Sequence, residues 1–343
     1  MRSIQDAIKR GLIWLDRHQT PTGELPAYAA VLGDGPPTWV PDQLNFITGL
    51  TAEALASVDD PVATSVVDRA VDFLRGEAED GTLWRYWAHD SPEHGRTPPD
   101  ADDTACCSLA VACRGDDTTA NHAPLLASMD GRGRFHTWLL WKPGLARRRD
   151  LRPLRNQRAP ETRRQIQDLW SNTEADSDDV DAVVNANVCR YLGVRAPASA
   201  VDWVVSVIEA GGGTMDKWHH SPFALWHAVA DGAARGVPGF QVLGPMLRTL
   251  VAESMEADAD RLRDLDLARA MRTAQAIGMP ATVQACLAAR LVASQHDDGS
   301  WNRDLVYHGG PQESFGWASE ALVTAMAIAA LAAHGTAARS GDI

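Results

Sequence analysis

The strongest constraint on the fold is an alternation: helices wet on one face are followed by helices apolar on nearly every face. The first kind covers residues 3–18, 62–75, 124–129, 200–210, 241–255 and 282–295, and most of these run into a glycine turn, at Gly23, Gly81, Gly131, Gly211 or Gly299. A helix with one polar stripe buries the other face and shows the rest to water. The second kind covers 45–57, 100–113, 179–192, 222–234, 264–277 and 315–334, and most of these open on an acid, Ser or Pro. A helix that is apolar all round is enclosed by its neighbours. About six outer–inner pairs result, each of roughly 40–70 residues, a repeat length of helical arrays. Six such pairs can close into a ring, an (α/α)6 barrel, with the N-termini of the inner helices around one mouth. No segment alternates with the two-residue period of a strand. The expected fold is therefore all-α, one barrel domain over residues 1–343 with a basic insertion at 142–170.

Charge and cysteine content narrow the function classes. A chain of 343 residues with 45% hydrophobic content buries a sizeable core. Its net charge of −13 excludes general affinity for nucleic acid or anionic membrane, both of which need a basic surface. The opening MRSIQDAIKRGLIWL carries charges throughout and reads as a helix, not a signal peptide. No apolar run reaches the roughly 18 residues that span a bilayer, so no transmembrane segment is expected. Five cysteines, two of them adjacent at Cys106 and Cys107 and none in C-x-x-C spacing, point to reduced thiols in a cytoplasm.

The segment RTPPDADDTACCSLAVAC, residues 96–113, gathers three carboxylates where an enclosed helix begins. Pro98 and Pro99 stop the preceding loop, which puts Asp100 at the N-cap, Asp102 near the second helical position and Asp103 near the third. Acids there satisfy free N–H groups and oppose the helix dipole, so capping alone accounts for their presence. The rest of the sequence adds a second reading.

DADDTA resembles the D-x-D-D-T-A motif of class II terpene cyclases, the squalene–hopene cyclase family and its diterpene relatives. The family's second signature, Q-x(2–5)-G-x-W, is matched by QHDDGSW at 295–301, with weaker copies in QTPTGEL at 19–25 and DGTLW at 80–84. Asn187, in SDDVDAVVNANVCRYLG, falls where the squalene–hopene branch carries a His that hydrogen-bonds the catalytic acid and where some diterpene cyclases carry Asn. The resemblance spans a full barrel but one domain only, whereas most of the family has two or three. It implies an (α/α)6 barrel, with Asp102 as proton donor, Asp100 and Asp103 orienting it and holding its relay water, and Asn187 as a hydrogen-bond donor to it. A buried amide tying two helices together is the other account of Asn187.

The implied chemistry suits these residue types. Class II cyclisation begins by protonating an alkene or epoxide, and an ordinary aspartate, with a pKa of about 3.9, holds no proton at neutral pH. Crowding three carboxyls into a buried turn raises the cost of each further negative charge, so the cluster retains a proton. The carbocations that follow need walls that neither react nor solvate, and aromatic faces supply them. The chain has twelve Trp against six Phe and four Tyr. Trp39, Trp84, Trp87, Trp138, Trp218, Trp226 and Trp317 lie near mouths or inner helices, with Phe223 and Phe315 beside them, and are the candidate substrate-binding residues. Trp14 and Trp301 occupy repeat positions and are read as structural.

Residues 142–164 hold nine Lys or Arg against two acids. The segment is either a solvated loop or a flap whose arginine forks hold a diphosphate or carboxylate on a substrate. The acids at 176–179 lack the T-A that follows the first cluster and read as the start of the next inner helix.

Competing chemistries lack their residues. There is no D-D-x-x-D run for Mg²⁺-assisted diphosphate ionisation. His219, His220 and the cysteines lack metal-site spacing, and the glycines at 211–213 lack the lysine of a phosphate loop. The expected activity is that of a class II cyclase acting on a linear isoprenoid, either a prenyl diphosphate or a prenylated aromatic acid, without loss of diphosphate. No metal and no cofactor are expected; Mg²⁺ would enter only with a substrate diphosphate. A lone barrel lacks the usual second-domain roof, so the basic insertion, residues 84–96 or a second copy of the chain must exclude water. The alternative is a non-catalytic toroid that binds an isoprenoid or a protein partner.

Overall fold

The computed structural model describes residues 3–141, 149–213, 216–219, 221–257, 262–309 and 314–340. In chain order the elements begin with α1 (Ile4–His18), β1 (Ala27–Val31), β2 (Val40–Asp42), α2 (Asn45–Leu55), α3 (Pro61–Glu77), α4 (Ala101–Ala112) and α5 (His122–Ala127). They continue with α6 (Pro160–Asn172), α7 (Ala182–Leu192), α8 (Ala198–Gly211), α9 (Pro222–Ala234), α10 (Gly244–Ala257), α11 (Asp264–Ala276), α12 (Ala281–Ser294), β3 (Leu305–Gly309), β4 (Phe315–Ala318) and α13 (Glu320–Ser340).

The enclosed helices are α2, α4, α7, α9, α11 and α13, and their packing is cyclic. Each packs on the next in that order, and α13 packs back on α2. The amphipathic helices lie outside: α1 against α13, α3 against α2 and α4, α8 against α7, α10 against α11, and α12 between α11 and α13. Burial follows the sequence pattern. In α4 every residue but Leu109 and Ala112 is buried, whereas α3 buries Ala63, Val66, Val67, Ala70, Val71 and Leu74 along one stripe.

One hydrogen-bond pattern recurs where an outer helix hands over to an inner one. The backbone N–H groups of Leu25, Trp84 and Trp301 donate to the Oγ1 of Thr48, Thr104 and Thr324, near the starts of α2, α4 and α13, at 3.1, 3.3 and 3.2 Å. Phe135 N–H donates likewise to Asn185 Oδ1 of α7 at 2.8 Å. The indole N–H groups of Trp84 and Trp301 reach back to the carbonyls of Leu74 and Leu291 near the ends of the preceding outer helices. Gln19 and Gln295 donate to the Val66 and Ala7 carbonyls, tying one outer helix to the next. Gly299 has φ +102°, and a Cβ there would lie 2.6 Å from the Arg10 carbonyl oxygen, so only glycine fits this close approach.

The all-α expectation is corrected by a small sheet. Four antiparallel strands run in the order β2-β1-β4-β3, with Ala29 opposite Trp317 and Tyr307 opposite the same residue on the other side. The helix expected over 315–334 therefore divides into β4 and α13. Its first residues, Phe-Gly-Trp-Ala, combine β-favouring aromatics with a glycine that weakens a helix, and β1 is available as a partner. The short outer helix expected at 124–129 is α5, displaced two residues toward the N-terminus. The basic segment is more ordered than a solvated loop in its described part, residues 149–170. It contains 3-10 turns and most of α6, which packs on the short turn His94–Arg96. Residues 142–148 of that segment lie outside the described residues. Among the described residues no helix is long and apolar enough to cross a membrane, and all five cysteines are free.

Candidate active site

Asp100 caps α4, its Oδ1 accepting the Asp103 N–H at 2.7 Å, so the capping reading of the acids is satisfied by Asp100. Asp102 is not needed for capping. It projects into the ring and is 7% exposed. Asn187 Nδ2 of α7 donates to Asp102 Oδ1 at 2.7 Å, and His219 Nε2 lies 3.6 Å from Oδ2. The Cys106 thiol, one turn along α4, points at Oδ1 from 3.9 Å. His219 is placed by Asp216, whose Oδ1 accepts the backbone N–H of both Trp218 and His219 while Oδ2 accepts that of Val183. Asp103 Oδ2 is buried without a hydrogen-bond partner.

Burial pushes Asp100 up to about 7, the Asp102 charge adding to it and hydrogen bonds from Asp103 opposing it. Burial and then the Asp100 carboxylate push Asp103 well above the usual carboxylate range. The turn therefore keeps a proton at neutral pH, and its titration belongs to the cluster as a unit.

The acids open onto a cavity of about 700 Å³. Trp87, Trp138, Trp218, Phe315 and Trp317 line it, as do Asp100, Asp102 and Asp103. Trp39, Trp84, Phe223 and Trp226 do not. Trp39 sits part-exposed in the loop between β1 and β2. Trp84 is buried at the start of α4 through the bonds described above. Phe223 and Trp226 stack edge to face within the core, and the Trp226 indole donates to the Gly212 carbonyl. Asn187 touches Asp102 but belongs to the lining of a second cavity behind it.

The sequence reading passed over Phe46, Tyr86 and Tyr307 and weighed His219 only as a metal ligand, yet all four line the cavity. Tyr307 packs against Tyr86 and Trp317 at centroid distances of 5.2 and 5.6 Å and against Phe46 at 5.7 Å. It lies on β3, where Val306 and Tyr307 are both buried, so no polar–apolar alternation marked it in the sequence. The sheet thus forms one wall, and α6 contributes Leu169 and Asn172 to the rim. Arg155, Arg158, Arg163 and Arg164 do not line the cavity; Arg96 does, paired with Glu93.

Carboxylates hold the tryptophans. Asp42 Oδ2 accepts the indole N–H of both Trp87 and Trp317, at 3.1 and 3.0 Å. Asp179 accepts from Trp138 at 3.2 Å, and Asp181 from Trp218 at 3.0 Å. Each ring is fixed by its polar edge, leaving its apolar surface for the cavity. Asp42 Oδ1 also accepts the Gln43 N–H, so in Asp42→Asn the amide NH2 must face either that donor or both indoles, and an acceptor is lost in each case. Turnover is expected to fall by about 10- to 100-fold, with partly cyclised products, as read by product profiling.

Burial leaves a second signature. Glu24, Asp100 and Asp181 are each pushed up to about 7 and Asp304 to about 6, in every case chiefly by desolvation. The unfolded chain releases these protons near pH 4, whereas the folded one keeps them until pH 6–7. The native state therefore binds more protons between pH 4 and 7, and stability falls as pH rises through that window. The urea midpoint is expected to be higher at pH 5.5 than at pH 8.5; an equal or lower value at pH 5.5 contradicts the assignment.

No protein-family model and no curated protein matches this sequence. Solved structures do match. A protein from Actinoplanes aligns with a TM-score of 0.71 at 18% identity, over 97% of this chain and 100% of that one. The type II terpene cyclase MstE from Scytonema aligns with 0.68 at 13% identity, over 96% and 97%. A variant of MstE is solved in complex with geranylgeranyl dihydroxybenzoate, its substrate, and aligns with 0.64. The ent-copalyl diphosphate synthase from Streptomyces platensis aligns with 0.58 at 17% identity, over 85% of this chain and 50% of that one. The chain has the fold of type II terpene cyclases.

Proposed function

We propose that the protein is a class II terpene cyclase and that residues 1–343 form a single (α/α)6 barrel domain, a reading supported by the cyclic packing of six inner helices. The observation that carries the function is the junction of a proton-holding carboxyl turn with an aromatic cavity: Asp102, bonded by Asn187, faces the same space as Trp87, Trp218 and Tyr307. A volume near 700 Å³ is in the range of ligand sites for molecules of drug size.

The steps balance without a cofactor. Asp102 delivers the cluster's proton to a terminal alkene carbon; the π pair forms the new C–H bond and leaves a tertiary cation. Neighbouring double bonds attack in turn, each closing a ring and passing the charge on. The last cation loses a proton to a base or captures water. The Asn187 amide and the His219 ring stabilise the carboxylate left on Asp102. The aromatic faces stabilise the moving charge by about 0.5–2 kcal/mol each. Asp100 and Asp103 keep the turn protonated for the next cycle.

The substrate class follows from the lining. It is a linear isoprenoid whose tail sits among the rings and whose polar head lies toward Arg96 and Asn172. A prenyl diphosphate and a prenylated aromatic acid both fit this description, and a diphosphate would bring Mg²⁺ with it. The MstE complex supports the prenylated aromatic. The non-catalytic toroid predicts a filled ring with solvated acids, and neither feature is present: the cavity is open and Asp102 is buried. Incubation with geranylgeranyl diphosphate, farnesyl diphosphate and geranylgeranyl dihydroxybenzoate tests the proposal. An isomer of unchanged or hydrated mass, with no diphosphate released, is expected from at least one; none from any sinks it.

A further inference from the structure

Behind Asp102, where the inner helices end, lies a second cavity of about 370 Å³. It shares Phe46 and His219 with the aromatic cavity, and Asn187, which donates to Asp102, lines it, so the two stand back to back. Four arginines and two carboxylates face it. Arg190 pairs with Glu53 at 2.7 Å and Asp231 at 3.5 Å, and Arg235 pairs with the same two acids at 2.8 and 2.6 Å. Against the effect of burial, these two cations hold Asp231 down to about 2. That quartet is neutral as a unit.

Arg269 and Arg272 remain. Arg269 is 6% exposed, and its Nη1 is buried without a hydrogen-bond partner. No carboxylate among the described residues stands within ion-pair distance of it. Asp266, one turn back along α11, is already engaged by Arg263 at 3.0 Å and by the Ser221 hydroxyl at 2.5 Å. Desolvation lowers the Arg269 guanidinium to about 10, which leaves it a cation at neutral pH. Arg272, one turn on, is half-buried and faces the same cavity. His227 beside them is driven down to about 3 by burial and is neutral. A buried guanidinium left unpaired in a chain of net charge −13 is costly, and a bound anion removes the cost.

We propose that this rear cavity binds an oxyanion of the phosphate class, seated between Arg269 and Arg272. Guanidinium forks match the paired oxygens of phosphate and diphosphate, and the surplus of two positive charges matches their charge. The anion is either free in solution or the head of a prenyl diphosphate; the chemistry of recognition is shared. Binding does not depend on whether the front cavity is catalytic.

Calorimetric titration of the whole protein with inorganic phosphate, inorganic diphosphate and farnesyl diphosphate, at constant ionic strength, tests it. Saturable binding of at least one is expected, weakened roughly 10- to 100-fold in both Arg269→Gln and Arg272→Gln and unchanged in Arg75→Gln, an exposed arginine outside both cavities. Response to the inorganic ions identifies a free anion; response to farnesyl diphosphate alone, with the same dependence on Arg269, identifies a lipid head. Two results overturn the proposal: no saturable binding, or binding that both rear variants retain at full strength. Arg272 is half-buried, so its variant reports even if Arg269→Gln perturbs the fold.

Discussion

Asp102→Asn is expected to leave the protein folded and to reduce cyclisation by about 10²–10⁴-fold, the contribution of a positioned general acid. The amide keeps the shape of the side chain and can still meet Asn187 and His219 after a flip, but it has no proton to give. Asp100→Asn is the informative contrast. Asp100 caps α4 through its Oδ1, and asparagine caps nearly as well, so the fold survives. Its loss of activity should be smaller and should move the alkaline limb of the pH profile, because one charge leaves the cluster. Equal turnover by wild type and Asp102→Asn removes Asp102 from the donor role.

The largest effect on stability is expected from Trp301→Ala. Trp301 is fully buried, its indole N–H donates to the Leu291 carbonyl at 2.7 Å, and its backbone N–H donates to Thr324. Removing the ring opens a cavity against Gly11 and Ile328 and orphans the Leu291 carbonyl at the end of α12. Loss of about 3–5 kcal/mol is expected, the range for truncating a buried aromatic. Trp39→Ala, on a part-exposed loop residue, is the control, with a change within about 0.5 kcal/mol. Urea unfolding of the two variants separates them; similar midpoints would show that Trp301 does not anchor the α12–α13 join.

The six inner helices were legible because enclosure leaves a one-dimensional mark: a helix surrounded on all sides has nowhere to put charge. The boundaries of α9 are those expected from sequence, and those of α2, α4 and α11 differ by a residue or two. The sheet was not legible. Its strands are three to five residues long, and β1 and β4 are joined only across nearly the whole chain, so no local alternation had length enough to register. Asp102 and Asn187 were singled out only through the resemblance of their segments to class II terpene cyclases, and they meet in space at 2.7 Å although 85 residues separate them. The aromatic wall could be read only as an excess of tryptophan. Whether a given ring faces the cavity depends on where its indole N–H is held. Trp84 and Trp226 go to backbone carbonyls in the core, whereas Trp87, Trp138, Trp218 and Trp317 go to aspartates at the rim, and those partners are remote in sequence. Tyr307 escaped with the sheet that carries it, and Phe46 because a lone Phe on an enclosed helix looks like any core residue.

The central claim is that a solvent-derived proton, relayed through the acid turn, starts the reaction. Its most direct test is turnover of geranylgeranyl dihydroxybenzoate by the wild-type protein in D₂O, with the product analysed by mass spectrometry and NMR. The account predicts a cyclised isomer carrying one non-exchangeable deuterium, placed on the ring carbon that was the terminal alkene. A cyclised product without deuterium at that carbon would show that the proton does not initiate the chemistry and would contradict it.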